Sequence, residues 1–83
     1  MDQYNYPIDG YYRGVHYSAI EHAILLLQRD DWRQEAPSRF RFWRRIEPDL
    51  ESALAHFLSS NMRQHTHLKT IYDRLVIVSR ELV

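Results

Sequence analysis

Eighty-three residues with 45% hydrophobic and 13% aromatic content argue for one small ordered domain, and the absence of cysteine excludes disulfide staples, thiolate metal sites and thiol nucleophiles. Eleven basic residues balance eleven acidic ones, which removes any general electrostatic drive toward nucleic acid or anionic lipid. The longest purely apolar run, Ala23 to Leu27, is far short of a membrane span, and the polar, acidic N-terminus is unlike a signal peptide. We therefore expect no membrane partner and a cytoplasmic location.

Residues 1–17 form a tyrosine-rich arm holding five of the six tyrosines: Tyr4, Tyr6, Tyr11, Tyr12 and Tyr17. A hairpin turning at Asp9-Gly10, between Tyr4–Tyr6 and Tyr11–Arg13, is one solution, although Pro7 would confine its first strand to an edge. An extended arm laid against the helices is the preferred one. Its rings bury apolar area, and Tyr11 and Tyr12 also offer contact surface for a partner at low entropic cost.

A helix is predicted over 18–33, opened by a capping box from Ser18 to Glu21 and ended before Ala36-Pro37. Ala19, Ile20, Ala23, Ile24, Leu26 and Leu27 make its buried face. Leu25 and Trp32, seven residues apart, fall on the polar side beside Glu21 and Arg29, where they form a candidate minor contact site.

The densest signal follows, Ser38-Arg39-Phe40-Arg41-Phe42-Trp43-Arg44-Arg45-Ile46, four arginines among three aromatics. As a short helix over 38–46 it groups Phe42, Trp43 and Ile46 toward the core, with Phe40 at the margin and Arg41, Arg44 and Arg45 opposite. The bland account pairs these arginines with Glu35, Glu47, Asp49 and Glu51. The functional account is a protein contact site, since tryptophan and arginine lead interface hot spots. Nucleic-acid binding through Arg39, Arg41, Arg44 and Arg45 ranks behind both, because the flanking acids repel phosphate.

Pro48 opens a third helix over 48–60, with Leu50, Ala53, Leu54, Phe57 and Leu58 at i, i+3, i+4, i+7, i+8. Asn61 reads as the cap of a fourth helix over 62–83, antiparallel to the third. Leu68, Ile71, Tyr72, Leu75, Val76, Val78, Leu82 and Val83 share a stripe roughly 160° wide on this last helix, leaving Ile77 out of place. One neighbouring helix cannot cover so broad a stripe, which places this helix at the centre of the bundle or across a dimer seam, and a homodimer seamed by Leu75, Val78 and Leu82 is predicted.

His16, His22, His56, His65 and His67 lack recurrent ligand spacing, and His65 and His67 would point about 200° apart on a helix. No metal, cofactor or catalytic residue is expected. The sequence thus predicts an all-α bundle of three to four helices, one of them short, in a single domain with 1–17 as arm and 18–83 as bundle. The function expected is stoichiometric occupation of another protein's surface by a small non-enzymatic regulator, adaptor or inhibitor.

Overall fold

A computed structural model describes residues 10–82. It opens on a two-stranded antiparallel hairpin, β1 (Tyr11–Tyr12) and β2 (Val15–His16), which pairs Tyr11 with His16 and Tyr12 with Val15. The turn is Arg13-Gly14, both at positive φ (52° and 85°), the type I′ arrangement that matches strand twist. The Asp9-Gly10 turn weighed from sequence falls at the edge of the described residues, and the strand that would precede it lies outside them. Tyr4 to Asp9 lie outside the described residues, as does Val83. Gly10 lends its carbonyl to the Tyr17 amide at 3.0 Å, closing the hairpin onto the first helix.

That helix, α1 (Tyr17–Gln28), begins after His16 with no side-chain cap, so the Ser18–Glu21 capping box does not form. It also stops five residues before the predicted end. Arg29 turns extended and grips the Asp31 carboxylate with two bonds of 2.8 Å, while its own amide donates to the Leu26 carbonyl. Asp30-Asp31 then carries the chain directly into α2 (Trp32–Ile46). This helix is not the short one expected over 38–46, because Pro37, its sixth residue, lies inside it rather than before it. A proline there removes one backbone donor, and the apolar face on either side holds the helix together. That face is Trp32, Ala36, Phe40 and Trp43, all buried at i, i+4, i+8, i+11.

Helix α3 (Leu50–Asn61) buries the five residues its spacing predicts: Leu50, Ala53, Leu54, Phe57 and Leu58. Asn61 ends this helix rather than capping the next, its Nδ2 donating to the Phe57 carbonyl at 2.8 Å. Residues 62–67 form turns, so α4 (Leu68–Glu81) starts six residues later than expected. Ser79 near its end reaches Glu51 near the start of α3, as an antiparallel pair requires.

One apolar cluster unites the elements, and no polar side chain among the described residues is buried. Helix α1 packs against the other three helices and β2, while α2 and α3 each lie against α4. Leu68, Ile71, Leu75 and Val78 of α4 are inside this cluster, and Tyr72, Ile77 and Leu82 pack at its edge. Of the broad stripe, all but Val76 and the undescribed Val83 therefore pack within one chain. Of the seam expected at Leu75, Val78 and Leu82, the first two are 2% and 0% exposed and pack into the chain's own core, while Leu82 stays partly exposed at its edge. No helix among the described residues is long and apolar enough to cross a membrane.

Candidate docking surface on the second helix

The periodicity that buries Trp32, Ala36, Phe40 and Trp43 turns the other residues of α2 outward. Phe42 and Ile46, assigned to the core from sequence, are 50% and 56% exposed. Trp32, assigned to the surface, is only 8% exposed and lies under the guanidinium groups of Arg33 and Arg74, 4.8 and 5.2 Å from its ring. Trp43 is buried as expected, its ring edge-on to Phe40 at 5.1 Å. The misplacement of Phe42 and Ile46 has one cause. Counting from Pro37 leaves Phe42, Trp43 and Ile46 as the obvious apolar group, whereas counting from Trp32 selects the face through Phe40.

The arginines divide into two kinds. Arg44 is structural: Nε and Nη2 donate to the Glu51 carboxylate at 2.6 and 3.0 Å, and Nη1 reaches the Leu82 carbonyl at 3.4 Å. Ser79 donates to the same carboxylate at 2.9 Å, so α2, α3 and α4 meet at Glu51. Arg44 holds the Glu51 carboxyl below the usual carboxylate range, against the opposing effect of partial burial and with help from Ser79. In return, the carboxylate raises the Arg44 pKa above its ordinary value. A shallow groove of about 410 Å³ over Ala55, Leu75 and Val76 has this network on its rim.

Arg39, Arg41 and Arg45 are exposed and lie within ion-pair distance of no carboxylate among the described residues. The pairing of these arginines with flanking acids thus holds for Arg44 alone. Glu47 turns instead to His16, 3.6 Å away. Ser38, Arg41, Phe42 and Arg45 line a shallow, open recess of about 260 Å³ on the outer side of the helix.

The remaining candidates separate. Tyr12 is a packing residue, edge-on to Phe57 at 5.5 Å with its hydroxyl 2.6 Å from His56 Nδ1. Tyr11 is exposed and stacks on His16 at 4.2 Å. Through His16 and Glu47 it stands near the C-terminal end of α2, where Ile46 is exposed. Leu25 is exposed on α1, and Trp32 does not join it, so the Leu25–Trp32 contact site is not assembled. His65 and His67 sit in the α3–α4 turn rather than on a helix, and their rings meet edge-on at 6.0 Å instead of pointing apart. Among the described residues no three His, Asp or Glu side chains gather as metal ligands. Set against known protein families, curated proteins and solved structures, the chain matches none of them.

Proposed function

We propose that this chain is a small, non-enzymatic, cytoplasmic protein-binding regulator that acts by occupying a partner's surface with the outer face of α2. The observation that carries this reading is Phe42, half exposed between Arg41 and Arg45, with none of the three in the buried core. An exposed aromatic flanked by arginines is the composition of an interface hot spot. A ring half in water forgoes about half of the roughly 1.5–3 kcal/mol that full burial is worth, which a partner would supply.

The test is affinity capture from the native host with the wild-type chain and with Phe42→Ala/Arg45→Ala, with and without nuclease. A protein retained by the wild type, lost by an equally stable double variant and indifferent to nuclease supports the reading. Recovery by both forms alike sinks it. Nucleic-acid binding is the second reading, favoured by the same unpaired arginines beside an aromatic that could stack on a base. It requires oligonucleotide affinity well above the non-specific range of about 10⁻⁴–10⁻⁶ M at physiological salt.

A further inference from the structure

We infer that the occupant of the outer face of α2 is an acidic amphipathic helix of the partner protein. This inference rests on the protein-binding reading above and narrows it to one class of ligand. Phe42 and Ile46 are four residues apart and both half exposed, so they form one apolar ridge along a single turn of helix. Arg41 and Arg45, at the same spacing, run beside that ridge, and Arg39 lies on its other flank. Apolar ridges at this spacing are received by the grooves of another helix. The recess among Ser38, Arg41, Phe42 and Arg45, about 260 Å³, has room for an aliphatic side chain.

Charge decides the rest of the ligand. Arginine stays protonated at any physiological pH and offers a planar fork that fits a carboxylate with two parallel hydrogen bonds. Three such groups on one face lack an intramolecular carboxylate partner among the described residues. The acid nearest in sequence on that side is Glu35, half-buried and almost two turns before Phe42. A basic helix would meet uncompensated repulsion, and a neutral one would cover the guanidiniums without pairing them. An acidic helix satisfies the ridge and the cations together.

The test uses isotope-labelled full chain and three synthetic helical peptides of about five turns, titrated by NMR. The first carries leucines at i, i+3, i+4, i+7 flanked by glutamates. The second is its scrambled isomer, and the third replaces each glutamate with lysine. An oligothymidylate serves as the nucleic-acid arm. The expected result is saturable shifts over residues 38–46 with the first peptide only, weakened by salt and at least about tenfold weaker for Arg41→Glu/Arg45→Glu. Melting of that variant checks its fold, and a preference transferred to the lysine peptide shows that charge pairing is responsible.

Equal binding of the scrambled or lysine peptide by the wild type overturns the inference, as does the absence of shifts on α2 with the first peptide. If captured protein still depends on Phe42 in that case, the ligand class is wrong and the protein-binding reading stands. If the oligonucleotide alone shifts α2, both are wrong.

Discussion

Arg74 covers Trp32 and caps α1 at once: its guanidinium lies 5.2 Å from the indole centroid while Nη1 donates to the Leu27 carbonyl at 2.7 Å. One side chain of α4 thereby fixes the end of α1 to the start of α2. Trp32→Ala should cost about 3–5 kcal/mol, since it opens a cavity at a nearly closed site. Arg74→Ala should cost about 1.5–3 kcal/mol through the lost charge-assisted bond. Urea melts of both single variants and the double variant check this, with the double expected to cost less than the sum because the two residues share one contact. A surface Trp32 would leave the first melt unchanged.

The tightness of the hairpin turn can be tested at two adjacent residues. Gly14 at φ 85° has open space where a Cβ would sit, so an alanine there meets backbone strain and no clash. Gly14→Ala should therefore cost about 1–2 kcal/mol. Arg13 adopts φ 52° without the advantage of glycine, and Arg13→Asn should gain about 0.5 kcal/mol by supplying the Asn-Gly pair this turn prefers. Opposite shifts in melting temperature are the expected pair of outcomes.

Acid should weaken the junction of α2, α3 and α4. The folded-state pKa of Glu51 is depressed, so its contribution is complete above the ordinary glutamate pKa of about 4.3 and is lost as pH falls through the lower folded value. The wild type should melt above Glu51→Gln at pH 6, and the difference should close toward pH 2. A gap that is constant with pH would assign the stabilisation to shape rather than charge.

Leu75 distinguishes a core position from a dimer seam. At 2% exposure it belongs to the core, and Leu75→Ala should cost about 2–5 kcal/mol. Melting temperatures of wild type and variant should be independent of protein concentration. A rise with concentration in the wild type alone would return this residue to an interface between copies.

The fold was legible wherever periodicity ran unbroken. Leu50 to Leu58 announced α3 and its buried face without help from anything distant. Boundaries failed where local signals lost to tertiary packing. The capping motifs at Ser18 and Asn61 did not form, and Pro37 did not end its helix, because the apolar residues on both sides of it share one buried face. That single boundary moved the candidate site. Arg41 and Arg45 were found from composition, but Phe42 and Ile46 were consigned to the interior. Spacing Trp32, Ala36, Phe40 and Trp43 at helical intervals across the proline would have recovered them. The pairing of Arg44 was not legible either, since Glu51 is one of several acids nearby and only the fold brings Ser79 to it from 28 residues away.

Helix α2 keeps its inward and outward residues on separate faces, and this makes the chain genetically separable. In a saturation mutagenesis library, lesions at Ala36, Phe40 or Trp43 deplete the protein from the cell, because they strike buried side chains. On the proposed docking role, lesions at Arg41, Phe42 or Arg45 should leave its abundance intact and surface only in a phenotypic screen of the host. Arg44 belongs to the first group despite its charge and its neighbours in sequence, since Glu51 and the Leu82 carbonyl depend on it. Scoring each clone for both level and phenotype therefore sorts adjacent codons of one helix into two allelic classes.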